Sequence, residues 1–77
     1  MGKLEEQMAA LSEQDLNRLC DILTLAESKM KGGYSYASEI YSLECEFPFS
    51  DADVLDLEGL MHLAKQETAR REEKAAK

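Results

Sequence analysis

The sequence predicts an all-α protein: a small bundle of three main helices with a short fourth at the N-terminus, completed by pairing with a second copy. Three observations predict it. Apolar residues recur at three- and four-residue steps along two long stretches. Ser12 and Ser50 each stand just ahead of such a stretch, with acidic residues in the following turn, as at capped helix starts. One proline and four glycines in 77 residues supply too few turns for a many-stranded β domain.

Leu4, Met8 and Leu11 share one face of a short opening helix. Ser12 then caps a longer one, in which Leu16, Leu19, Cys20, Leu23, Ala26 and Met30 form the apolar stripe and Ile22 and Leu25 widen it. Lys29 and Lys31 suit its last turn, and Gly32-Gly33 supplies a left-handed stop. Between Tyr34 and Phe47 two periods compete. Tyr36, Ile40, Leu43 and Phe47 fit a helix, whereas Tyr41, Leu43, Cys45 and Phe47 alternate as a strand would. No other segment offers a partner strand, so a helix is expected, with a strand paired across a dimer axis as the alternative.

Pro48 ends that element, because the residue before proline is pushed out of helical geometry. Ser50 is expected to cap the final helix, whose apolar face is Val54, Leu57, Leu60, Met61 and Ala64, flanked by Leu55 and Leu63. Gly59 inside it costs about 1 kcal/mol relative to alanine and points to close packing. Residues 1–65 thus form one helical domain. Residues 66–77 hold only alanines as apolar residues and read as a solvated helical extension that frays. A globular chain this short buries only about 60–65 % of its unfolded surface, and its stripes are wide, so a homodimer is expected.

Charge is distributed unevenly. The net −7 arises as −2 over residues 1–31, −7 over 32–64 and +2 over 65–77. The central stretch carries Glu39, Glu44, Glu46, Asp51, Asp53, Asp56 and Glu58 with no lysine or arginine. Such carboxylates repel one another, and either a cationic partner or bases folded over from the ends relieve that repulsion. Direct nucleic-acid binding is disfavoured, because phosphate contacts need clustered lysine and arginine. No apolar run approaches the roughly 18–20 residues of a membrane span. Lys3, Glu5 and Glu6 stand where a secretory signal would begin, so a cytoplasmic protein is expected. Cys20 and Cys45, among apolar neighbours, read as buried free thiols.

Signatures of chemistry are weak. Asp51–Asp56 resembles the start of a calcium loop, but Leu55, Asp56 and His62 occupy the positions that need an oxygen ligand, glycine and glutamate. His62 shares no ligand spacing with Cys20 or Cys45, so neither a metal nor another cofactor is expected. No serine lies in a GxSxG turn, and no catalytic residues are assigned. Lys29, Lys31, Tyr34 and Tyr36 surround the diglycine turn and would suit a nucleotide or small anion, although no Walker loop is present.

Three functions follow in order of preference, with an enzyme last. The first is a small acidic interaction module that docks on a basic surface of a partner, for example a nucleic-acid-binding one, and blocks it. Glu39, Glu44, Glu46, Asp51, Asp53, Asp56 and Glu58 would supply the charge, and Tyr41, Phe47 and Phe49 the apolar anchors. In size, acidity and lack of catalytic motifs the chain is similar to phage-encoded inhibitors of host defence or transcription, anti-CRISPR proteins among them. That likeness is one of overall character and rests on no motif. The second is a module sequestering an anion at the Lys29–Tyr36 turn, and the third a structural adaptor subunit.

Overall fold

The computed structural model describes residues 2–75 and folds them into five helices: α1 (Lys3–Ala10), α2 (Glu13–Lys31), α3 (Ala37–Glu46), α4 (Asp51–Leu55) and α5 (Leu57–Ala75). No strand occurs among the described residues, so the ambiguous stretch before Pro48 is helical. Met1, Ala76 and Lys77, part of the expected opening helix and tail, lie outside the described residues.

Local chemistry sets the helix ends. The Asp15 N–H donates to the Ser12 hydroxyl at 3.1 Å, which starts α2 and breaks it from α1 at Leu11. At the far end Gly33 has φ 77°, the left-handed region that costs a side-chain-bearing residue. With Gly33 so placed, the Tyr34 N–H reaches the Lys29 carbonyl at 2.8 Å and the Gly33 N–H the Met30 carbonyl at 3.2 Å. That pair of bonds is the Schellman closure.

The final helix departs from expectation. Ser50 accepts from the Asp53 N–H at 3.2 Å, but it caps only the five-residue α4. The backbone turns at Asp56, and a second cap begins there. Asp56 Oδ1 accepts from the Gly59 N–H at 3.2 Å and its carbonyl from the Leu60 N–H at 3.0 Å. A fifth helix therefore exists because an aspartate with capping chemistry sits inside an otherwise continuous apolar pattern. The close packing expected at Gly59 is with that same aspartate. A Cβ there would lie 2.9 Å from Asp56 Cγ, so the glycine gives room to the cap and not to another backbone.

The longest seam joins α2 to α5, with Cys20 Sγ 3.6 Å from Thr68 Oγ1. Helix α3 lies antiparallel on α2, with ion pairs joining opposite ends of the two: Arg18 to Glu46 and Lys29 to Glu39. Helix α4 bridges α3 and α5, and α1 packs on α5. Leu19, Leu23, Leu43, Val54 and Leu60 are fully buried where these elements meet. Each such side chain contributes about 1.5–3 kcal/mol through burial.

These core side chains are buried within a single chain. Among the described residues the large apolar side chains left exposed are Leu25, Met30, Tyr34, Tyr41 and Leu55, so Leu25 and Met30, both expected in the stripe, face solvent. The cysteine expectation is also corrected. Cys20 is half-buried, but Cys45 is exposed on α3; both are free.

Candidate functional site

The seven central carboxylates divide into two groups. Glu39 is buried at the α2–α3 contact, where Lys29 Nζ lies 2.9 Å from Oε1 and 3.1 Å from Oε2. Only the Oε2 contact has hydrogen-bond geometry, which leaves Oε1 buried without a donor. Glu46 forms a two-pronged pair with Arg18, Nε to Oε1 at 3.1 Å and Nη2 to Oε2 at 3.2 Å. The guanidinium holds the Glu46 carboxyl below its ordinary range, chiefly by hydrogen bonding, and Arg18 is raised in return. Of these two glutamates, expected on a partner-binding face, Glu39 is buried between helices, whereas Glu46 stays exposed but is paired across to α2.

Glu44, Asp51, Asp53, Asp56 and Glu58 have no ion-pair partner among the described residues. All are exposed except Asp53, which is half-buried. They lie on α3, α4, the break at Asp56 and the first turn of α5. Thus the bases of the chain's ends do fold over the acidic centre, but they neutralise only part of it.

The anchors need a larger correction. Phe47 and Phe49 are each 7 % exposed and stack on one another, with ring centroids 5.6 Å apart and planes at 12°. They flank Pro48 and close the core where the chain leaves α3, so they are unavailable to a partner. Tyr41 does face solvent, and its phenol is pushed above the ordinary value, first by hydrogen bonding to Cys45. The residue that sequence reasoning missed is Leu55. It is 76 % exposed in the middle of Asp51, Asp53, Asp56 and Glu58. The signal was its flank position beside the apolar face of the expected helix, at what becomes the last residue of α4.

The Lys29–Tyr36 turn does not assemble an anion cradle. Lys29 is engaged by Glu39, Lys31 lies 3.3 Å from Glu27, and the buried Glu39 carboxylate would repel an anion. Tyr34 is exposed, with its ring over Gly32, and Tyr36 packs against the core edge. His62 is exposed and meets Gln66 at 3.0 Å along its own helix. No group of three histidines, cysteines or acids among the described residues could hold a metal ion, and no helix is long and apolar enough to cross a membrane.

Where a solvated extension was expected, α5 carries a second charge cluster. Glu67 is buried, and Arg70 and Arg71 bind it at 2.6 and 2.7 Å. Hydrogen bonding from Arg70 first, then from Arg71, holds its carboxyl below the ordinary range against the opposing effect of burial. The three-and-four-residue spacing was legible, but such pairs usually lie on a solvated surface. Beside them a groove of about 390 Å³ separates α1 from α5.

Compared with family models, curated proteins and solved structures, the chain matches none.

Proposed function

We propose that this protein is a small acidic interaction module that docks on a basic surface of a partner protein, such as a nucleic-acid-binding surface, and blocks it. The observation that supports the reading is the set of five carboxylates without an ion-pair partner among the described residues, four of which flank exposed Leu55 along the chain, with Glu44 and exposed Tyr41 on the neighbouring α3. Carboxylates on rigid helices attract a basic surface and steer it, and an apolar side chain among them supplies the desolvated centre that charge alone lacks. Phe47, Phe49, Glu39 and Glu46 drop out of this binding set, because folding already uses them.

A second copy is a poor occupant for the same surface. A two-fold contact through it would set carboxylates against carboxylates. Homodimerisation therefore belongs to another face in this proposal, and sedimentation at several concentrations measures it separately.

The test is capture from the source cell with wild type and with a Glu44→Lys, Glu58→Lys, Leu55→Ser variant of unchanged helicity. A partner with a basic surface should be retained by the wild type, lose its nucleic-acid binding in the complex, and escape the variant. A partner held equally by both proteins refutes the reading.

A further inference from the structure

Helix α1 meets α5 along a groove whose floor is apolar, formed by Met8, Ala9 and Leu63. Charge around it is one-sided. Arg70 and Glu67 both line the α5 wall, where they are bound to each other at 2.6 Å, so the charge left without a partner is that of the α1 wall. Glu5 and Glu6, in the first turn of α1, are exposed and have no ion-pair partner among the described residues. A guest must therefore offer apolar surface to the floor and positive charge to the α1 rim. The volume, about 390 Å³, is too small for a helix and sufficient for one or two side chains. Helix α1 also adjoins the connection into α4, where Gln7 Nε2 donates to the Pro48 carbonyl at 2.9 Å. That bond ties the groove's α1 wall to the entry of the acidic α4 region.

We propose that this groove seats an arginine or lysine side chain of the partner together with the apolar residue beside it, an inference that rests on the docking function above. The aliphatic stem of such a side chain lies along Met8 and Leu63, while its charged head reaches the Glu5 and Glu6 carboxylates. On the α5 wall Arg70 and Glu67 are paired with each other, so the carboxylates of the α1 rim, which have no ion-pair partner among the described residues, set the side to which the cationic head turns.

The experiment is an amide NMR titration of the isotope-labelled full chain with two probes: a short peptide of alternating leucine and arginine, and butylguanidinium alone. The peptide should shift the amides of Met8, Ala9, Leu63 and Gln66. A Glu5→Gln, Glu6→Gln variant should weaken that binding about tenfold, within the ceiling of about thirtyfold for two exposed ion pairs. The Glu44→Lys, Glu58→Lys variant should leave the groove shifts in place. Peptide shifts confined to α4 and the start of α5 overturn the groove while leaving the docking function standing. Shifts confined to the groove do the reverse. Equal affinity for butylguanidinium and for the peptide overturns the assignment to a partner's side chain in favour of a free organic cation.

Discussion

Arg71→Met should release α1 without unfolding the rest of the molecule. Helix α1 has no basic residue in its own last turn, so its terminal carbonyls look elsewhere for a donor. Arg71, sixty residues away in sequence, supplies it. Its Nη2 donates to the Leu11 carbonyl at 2.7 Å and more weakly to that of Ala9 at 3.3 Å, while its Nε holds Glu67 at 2.7 Å. A hydrogen bond from a charged donor contributes about 1.5–3 kcal/mol. The favourable placement of a cation at a helix C-terminus is the same contact counted another way and is not added. Methionine keeps much of the aliphatic packing, and Glu67 keeps Arg70 at 2.6 Å. The penalty of roughly 3–5 kcal/mol for a buried charge stripped of all partners therefore does not apply.

The expected loss is about 2 kcal/mol, against a total stability of about 4–11 kcal/mol for a chain of this length. Urea denaturation followed by circular dichroism measures it, and hydrogen exchange locates it. The α1 amides should lose protection while those of α2 at Leu19 and Leu23 keep most of theirs. A stability change below about 0.5 kcal/mol, typical of a surface substitution, would refute the clamp. So would a loss of protection spread evenly over all five helices. Adding Arg70→Met should cost more than the sum of the two single changes, because only the double variant leaves Glu67 alone.

Acid should weaken the same joint. The folded-state carboxyl of Glu67 is lowered, so its contribution is fully present above the ordinary carboxylate value of 4.5 and fades as pH falls below it through the folded value; Glu67→Gln should flatten that part of a stability-versus-pH curve. Gly33→Ala should cost about 1–2 kcal/mol in thermal or urea melts, because φ 77° is disfavoured by that amount for a residue with a Cβ. Leu43→Ala should cost about 2–5 kcal/mol from the cavity it opens, while Leu55→Ser, at a site 76 % exposed, should change stability by less than about 0.5 kcal/mol.

What was legible in the sequence was what depends on neighbours a few residues away. Ser12, Gly33 and the stripe from Leu16 to Ala26 act through one turn of backbone, and their chemistry transfers directly into α2. The break at Asp56 was hidden because an aspartate between Leu55 and Leu57 fits a continuous amphipathic helix as well as a cap. Tertiary placement was legible less often. Phe47 and Phe49 read as anchors for a partner, because an aromatic pair beside a proline suits an interface as well as a core, and only their burial and their stack across Pro48 assign them to the core. Lys29–Glu39, Arg18–Glu46 and Arg71–Leu11 each depend on how helices lie on one another, which spacing along the chain does not encode.

Much of the acidity in the middle of this chain has a structural cause, and separating it from function isolates one residue. Asp51, Asp53 and Glu58 lie in first turns of helices and Asp56 caps α5, where backbone dipoles favour negative charge whatever the protein does. Glu44 has no such excuse. It is exposed, has no ion-pair partner among the described residues and lies near the C-terminal end of α3, where the dipole disfavours an acid and no basic residue compensates in the last turn. Glu46 shares that position but is neutralised by Arg18. For Glu44→Lys, helix electrostatics and docking consequently predict opposite signs. Stability should rise by about 0.3–1 kcal/mol as a cation replaces an anion at the helix end, while affinity for a basic partner should fall. Thermal melts and binding to the captured partner, measured on the same variant, read the two effects separately. A variant that melts higher and still binds as tightly as wild type would mean that the carboxylates serve the helices alone.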